Sequence, residues 1–191
     1  MSARRSVITG IAGQDGSYLA ELLLAEGYDV VGLDRKASLD WSPNLAGLRD
    51  SVELVPFDLL DHDGTRAALL AAGADEIYHL AAPTFVPDSW ADPTQTMAAI
   101  AGGTATVLAA ALVAPQGPRV WVAASSEVFG DAGESPQHED SPMRPRSPYG
   151  VAKLAALGLI RTMREHHGLF AATGITYNHE SPRRAPHFLP R

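Results

Sequence analysis

The chain has 191 residues, 46% of them hydrophobic and 19% charged, which is enough apolar material to bury the core of one domain. Without cysteine it can hold neither a disulfide framework nor a thiolate metal site, so redox chemistry has to come from a cofactor. Its net charge of −7 offers no basic footprint for nucleic acid.

The first residues carry Arg4 and Arg5 but reach Gly10, Gly13, Gln14 and Asp15 too soon for the apolar core of a secretory signal, and a cytoplasmic protein is expected. Short β-branched runs then alternate with longer alanine- and leucine-rich ones, the pattern of parallel strands joined by crossover helices. The expected class is α/β. A Rossmann-type, doubly wound parallel sheet of about six strands, with helices on both faces, is expected as a single dinucleotide-binding and catalytic domain over residues 1–191.

The first predicted strand, residues 6–9, runs directly into Gly10-Ile11-Ala12-Gly13-Gln14-Asp15-Gly16 and a leucine-rich helix over residues 17–26. Glycines at that spacing permit positive φ angles, let the backbone approach a pyrophosphate and allow close helix–strand packing. The helix N-terminus adds amide donors and positive dipole. A dinucleotide site is expected there. The second strand, residues 29–33, ends at Asp34, whose carboxylate can bind the ribose hydroxyls of NAD, while Arg35 and Lys36 can receive the 2′-phosphate of NADP. Asp58 follows the third strand, residues 52–57, and reads equally as a ligand contact or as the cap of a helix over residues 63–72. The fourth strand, residues 76–80, precedes a long helix within residues 94–113. The apolar stretch 98–114 is broken by Gly102, Gly103 and two threonines and is expected to be a buried helix, because crossing a bilayer takes about 20 apolar residues. No membrane partner is expected.

The fifth strand, residues 119–123, leads into Ser125-Ser126-Glu127, and a long polar loop, residues 133–148, is of a length that can cover a ligand. A helix from residue 148 to about residue 166 opens with Tyr149-Gly150-Val151-Ala152-Lys153, which puts Tyr149 and Lys153 on one face. An ammonium beside a phenol favours phenolate, so Tyr149 can take a proton from a substrate hydroxyl as hydride leaves the same carbon, with Ser125 orienting that hydroxyl. Glu127 discriminates further. A simple alcohol dehydrogenase needs no carboxylate there, a dehydratase needs a base for the proton beside a new ketone, and the bland reading is a solvated loop glutamate. A sixth strand is expected over residues 172–177 and an irregular tail over 179–191. The seven histidines show no metal-ligand spacing, so no metal is expected.

Taken together, ITGIAGQDGSYLAE (residues 8–21), Ser125-Ser126-Glu127, PRSPYGVAK (145–153) and NHESPRR (178–184) resemble the motifs of GDP-mannose 4,6-dehydratases, a family of extended short-chain dehydrogenases/reductases. The resemblance implies a hydro-lyase of nucleotide-sugar metabolism with NADP as cofactor, NAD being the alternative, and GDP-mannose as substrate. It implies cofactor contacts from Gly10, Gly13, Gln14, Asp15, Gly16, Asp34, Arg35, Asp58, Leu59, Leu80, Ala81, Ala82, Tyr149, Lys153, His179 and Arg184. Substrate contacts are implied for Ser125, Ser126, Glu127, Tyr149 and Asn178. Ser125, Glu127, Tyr149 and Lys153 become the catalytic set, with Glu127 as acid/base, in a homodimer or homotetramer packed through the helix of Tyr149. The family's smaller C-terminal substrate domain is expected to be absent or severely shortened. Ala185-Pro186 stands where the family has a glycine, and Pro83-Thr84-Phe85 and Ile100-Ala101-Gly102 lack its polar residues. Two other readings stay open: a related epimerase or reductase, which would not need Glu127, and a non-catalytic cofactor-binding partner.

Overall fold

The computed structural model describes residues 3–185 and Phe188. Six strands form one parallel sheet in the order β3-β2-β1-β4-β5-β6: β1 (Arg5–Thr9), β2 (Asp29–Asp34), β3 (Glu53–Pro56), β4 (Glu76–His79), β5 (Arg119–Ala123) and β6 (Ala171–Gly174). Between them run α1 (Gln14–Ala25), α2 (Lys36–Trp41), α3 (His62–Ala72), α4 (Asp88–Ala91), α5 (Pro93–Met97), α6 (Gly103–Val113) and α7 (Pro148–His167). From β1 the chain proceeds outward to β2 and β3, then crosses back to β4 on the other side. The connections diverge at the carboxyl ends of β1 and β4, which is where such sheets leave a ligand crevice.

Alternation along the strands decides the layers. In β1, Val7 packs with Leu69 of α3, Val107 and Leu108 of α6 and Ile160 of α7, whereas its neighbour Ile8 packs on the opposite face with Ala20 and Leu23 of α1 and Leu39 of α2. Strand β2 repeats the division, with Val31 and Leu33 on the first face and Val30 on the second. A parallel strand covered on both faces has to be apolar at successive positions. Each fully buried Val, Leu or Ile in these layers contributes roughly 1.5–3 kcal/mol relative to exposure.

Strand positions agree with the sequence reading to within a few residues, and the exceptions have local causes. Strand β6 runs over Ala171–Gly174 instead of 172–177, because its partner β5 stops at Ala123; pairing continues irregularly through Ala124 N to Gly174 O (3.0 Å) and Ser126 N to Thr176 O (2.9 Å). Helix α2 was not expected. It is less than two turns long, too short for a periodic pattern, and is held by buried Leu39 and a Lys36–Asp40 ion pair at 3.4 Å. The long helix is found but is not uniform: α5, a π turn at Ala98–Gly102 and α6 make one run, Pro93–Val113. Its 21 residues are long and apolar enough to cross a membrane, more than the sequence reading allowed, yet Val107, Leu108, Ala110 and Ala111 are core residues of this fold. The glycines that interrupt it admit neighbours, a Cβ on Gly103 falling 2.8 Å from the Leu59 side chain.

At the mouth of the crevice the backbone turns at Gly10, with φ +78°, and enters α1. A Cβ on Gly10 would lie 2.8 Å from Ala81 N, and one on Gly16 only 2.3 Å from the Gly10 carbonyl oxygen and 2.7 Å from Ile11 Cα. Both neighbours are backbone and cannot rotate away. Gly16→Ala is therefore expected to destabilise the fold by about 1–3 kcal/mol or more, as other forced overpacking does, read as a lower denaturant midpoint; an unchanged midpoint would show that α1 can shift freely.

Candidate active site

The glycine turn between β1 and α1 is pinned from several sides. Gly10 N donates to Leu33 O (2.7 Å), Gly13 N to Gly10 O (3.0 Å) and Ser17 N to Gly13 O (3.2 Å). Gly13 caps α1 without a side-chain hydrogen bond, which leaves first-turn amides directed at an incoming anion. Ala12 is held at both ends: its N–H donates to Asp34 Oδ2 (3.0 Å), and its carbonyl accepts from Ser42 Oγ (3.0 Å) and Asn44 Nδ2 (3.1 Å). Asp34 Oδ1 accepts from Arg35 N at 2.8 Å. Both Asp34 oxygens thus fasten backbone, a role that spacing alone could not separate from ribose binding. Arg35 stands exposed at the rim and forms no ion pair among the described residues. Asp58 accepts from Leu60 N (2.9 Å), while the cap of α3 is Asp61, which accepts from Gly64 N (2.9 Å).

The ends of β1 and β4 are joined by buried His79, a residue the sequence reading passed over. Its Nδ1 lies 2.8 Å from Thr9 Oγ1, which also accepts from Ala81 N (3.2 Å). Burial, and then the charge of Lys153, push the imidazole down to about 3, so it is neutral at physiological pH.

Opposite, β5 delivers Ser125 and a 3₁₀ turn, Ser126–Val128. Helix α7 starts on an Ser147 cap, whose Oγ accepts from Gly150 N (3.0 Å), with Pro148 in its first turn. Gly150 allows this helix to press against the turn, since a Cβ there would lie 2.6 Å from the Glu127 carbonyl oxygen. Tyr149 and Lys153 are each 6% exposed, and Tyr149 packs with Ile100 from the π turn. Lys153 Nζ donates to Ala123 O (2.8 Å) and lies 5.8 Å from the centre of the Tyr149 ring. Burial brings the lysine down to about 8. The phenol departs from expectation: burial raises its pKa, the nearby Glu127 charge raises it further, and only the hydrogen bond with Ser125 opposes them. Desolvation of a phenolate outweighs the attraction of a lysine committed to a backbone carbonyl.

These elements enclose a cleft of about 1210 Å³. It is lined by Gly10, Gly13, Gln14, Asp15, Gly16, Asp34, Arg35, Asp58, Leu59, Leu80, Ala81, Ala82, Ser125, Glu127, Tyr149, Lys153, Asn178, His179 and Arg184. Ser126 is not part of that lining; it opens the 3₁₀ turn and its N–H donates to Thr176 O (2.9 Å). Nor does the long polar loop reach the cleft. It closes on itself where Gly130 bridges Arg144, and it is tied to Tyr177 Oη through Gln137 Oε1 (2.8 Å). Other lining residues were not given a role from sequence: Trp41 and Ser42 after β2, Asp88 and Gln95 after β4, and Arg183. They come from short helices and the turns beside them, too brief to leave a periodic pattern, and only Arg183 lies inside a recognisable motif.

The family described as GDP-mannose 4,6 dehydratase matches residues 7–191. The chain is 39% identical to a GDP-mannose 4,6-dehydratase of Vibrio cholerae over 98% of its own length and 53% of that protein's. It is 40% identical to GDP-mannose 4,6 dehydratase 2 of Caenorhabditis elegans, over 97% and 52% respectively. It thus spans about half the length of the curated relatives it matches. Among solved structures, a dTDP-glucose 4,6-dehydratase of Streptomyces venezuelae with NAD and TYD bound superposes with a TM-score of 0.81 at 29% identity, covering 96% of this chain and 58% of that one. A UDP-glucose 4-epimerase of Brucella ovis in complex with NAD gives 0.78 at 25% identity, covering 92% and 52%.

Burying the Lys153 ammonium has a cost that stability measurements can read. With the folded value near 8 against 10.5 for the free side chain, the penalty is about 3 kcal/mol at 1.36 kcal/mol per unit. It applies in full below pH 8 and fades as pH rises from 8 towards 10.5, where both states become neutral. The orphaned Ala123 carbonyl takes back about 1 kcal/mol. Lys153→Met is therefore expected to raise Tm at pH 7 by several degrees, with the gain shrinking above pH 8; a Tm at or below that of the wild type would contradict the buried charge.

Proposed function

The chain belongs to the GDP-mannose 4,6-dehydratase family, and from that premise we propose that it carries the cofactor-binding and catalytic residues of an NADP-dependent hydro-lyase converting GDP-mannose to GDP-4-keto-6-deoxymannose. The observation that favours this over an epimerase or reductase is Glu127, which faces the same cleft as Ser125, Tyr149 and Lys153 and lies close enough to raise the phenol's pKa. A carboxylate there suits elimination and is superfluous to simple hydride transfer.

A nicotinamide dinucleotide fits the residues present. The backbone cradle at Gly10 and Gly16 is one that a Cβ would fill, first-turn amides of α1 lack a capping side chain, and the structural relatives named above carry NAD. Gly10, Gly13 and Gly16 would hold its pyrophosphate, Asp58 and Leu59 its adenosine end, and Ala81, Ala82, Tyr149 and Lys153 its nicotinamide half. NADP is favoured over NAD because the Asp34 oxygens already serve two backbone amides, while Arg35 is available for a 2′-phosphate. When bound, the dinucleotide supplies a hydride acceptor for carbon 4 and a hydride donor for carbon 6.

The side chains then do the proton work. Ser125 orients the 4-hydroxyl of the sugar, and Tyr149 takes its proton as the carbon 4–hydrogen bond breaks. The resulting ketone acidifies carbon 5, and Glu127 removes that proton. The same carboxylic acid protonates the 6-hydroxyl, which departs as water. The proton held by Tyr149 returns to carbon 5 as carbon 6 is reduced, which restores both groups and balances the loss of one water. Lys153 steadies the phenolate during the first step by its charge. Asn178 contacts the substrate. In this reading the protein works in the cytoplasm as a homodimer or homotetramer, packed through the exposed side of α7 around Val151.

The decisive measurement is mass spectrometry of the product from GDP-mannose and NADP. Wild-type protein is expected to release a product one water lighter, and Glu127→Gln to do so about 10²–10⁴-fold more slowly. A product that keeps its 6-hydroxyl would move the assignment to an epimerase or reductase; NADP binding without turnover would favour a cofactor-binding partner. In parallel titrations the wild type should bind NADP more tightly than NAD, and Arg35→Ala should erase that difference; tighter NAD binding by the wild type would contradict the cofactor choice.

A further inference from the structure

The segment after β6, residues 177–184, returns across the fold to the phosphate turn and the start of α1. His179 Nδ1 lies 2.7 Å from the Tyr177 carbonyl oxygen and its Nε2 2.8 Å from Asp15 Oδ1. Gln14 Nε2 donates to His179 O (3.2 Å) and Asp15 Oδ1 (3.2 Å), and its Oε1 accepts from Ser181 Oγ (2.9 Å). Arg184 Nη1 also donates to His179 O (2.8 Å). Further along, Arg183 pairs with Glu21, its guanidinium lies 4.0 Å from the centre of the Tyr18 ring, and its carbonyl accepts from Asn44 Nδ2 (3.3 Å). The two most family-specific stretches of the sequence therefore bind each other. Gln14, Asp15, Asn178, His179, Arg183 and Arg184 all line the cleft, so this contact closes one of its walls.

Chemistry dictates the state of the ring. A carbonyl and a carboxylate only accept, so both ring nitrogens have to donate and the bound side chain is the imidazolium. Its positive charge also answers a local problem. Asp15 places a carboxylate in the first turn of α1, where the amides and dipole would otherwise attract a phosphate; unpaired, it would repel one.

We propose that residues 177–184 form a strap that retains the dinucleotide, latched by His179 to Asp15; this rests on reading the cleft as a dinucleotide site. Retention suits a reaction that regenerates its cofactor in every turnover. His179 is a positioning residue in this role. Side chains 50% and 48% exposed make a weak pair in water, so the latch can open to admit the ligand. The hydrogen bond to Tyr177 and the partnership with Asp15 raise the histidine's pKa, against burial and Arg184, which is itself paired with Glu180 (3.1 Å). The latch is thus present at low pH and lost as pH rises through that raised value, when one of the two donated protons leaves.

The test is the rate at which bound NADPH, followed by its fluorescence, leaves the protein into excess NADP. In the wild type, release should accelerate with rising pH. At pH 6, His179→Gln should release about two- to fivefold faster than wild type, the factor a half-exposed ion pair carries, and both His179→Gln and Asp15→Asn should lose the pH dependence. The double variant should be no faster than either single one, because both remove the same contact. Hydrogen exchange on the ligand-free protein gives a readout independent of cofactor: amides of residues 14–17 and 178–184 should exchange faster in His179→Gln, and those of the sheet should not. Wild-type release rates in His179→Gln, or unchanged exchange, overturn the strap. A latch seen by exchange in a protein that retains no dinucleotide overturns instead the cofactor reading beneath it.

Discussion

No side chain can stand between Gly16 and the carbonyl of Gly10, where a Cβ would be 2.3 Å from oxygen, and one side of the cleft is arranged around that closeness. Helix α1 can begin directly on the turn only because position 16 is bare, and β4 can come up beside the same turn only because position 10 is. Three elements thus meet within contact distance at the point where the strand order reverses. The His79–Thr9–Ala81 hydrogen bonds then lock β1 to β4 beneath it. A cleft with backbone amides along its floor follows from these approaches, before any ligand-binding side chain is considered.

The opposite wall of the cleft obeys the same rule with a different glycine. Gly150 lets α7 touch the Glu127 carbonyl, and this brings Tyr149, Lys153 and Glu127 to one surface from two separate elements. Bringing them together strains their protonation. The phenol is pushed up and the ammonium down, each by burial, so the fold disfavours the charged forms of both groups. Stability is given up here for a dry, ordered site, and the apolar layers built on Val7, Ile8, Val31 and Leu33 supply the margin.

Much of this was legible in the chain because the fold is built from repeating local signals. Apolar runs of strand length, alanine-rich helices and the glycine turn each point to one structure, and clefts in such a sheet form at strand ends, so Ser125, Tyr149 and Lys153 could be placed beside the cleft in advance. What escaped depends on contacts between distant residues. Nothing in the order Ser125-Ser126-Glu127 says that the middle residue is left out of the cleft's lining; its amide donates to Thr176, fifty residues on. The double duty of Asp34 depends on where Ala12 lies, and the loop 133–148, of a length that could cover a ligand, is bridged at Gly130 and Arg144 and stays outside the cleft's lining. The phenol was expected to be eased towards ionisation by Lys153, because spacing reports neighbours but not how deeply they are buried.

The contact between His179 and Asp15 joins residues 164 positions apart. A ribosome making the chain from its N-terminus exposes the first turn of α1 roughly ten to thirty seconds before the histidine exists, at elongation rates of about 5–20 residues per second. Through that interval the carboxylate of Asp15 lacks its counterion, and the wall of the cleft formed by residues 177–184 is unmade. Order of synthesis therefore becomes order of assembly. All six strands precede residues 177–184 in the chain, so the contact that closes this wall of the cleft is the one whose residues are made after those of the sheet.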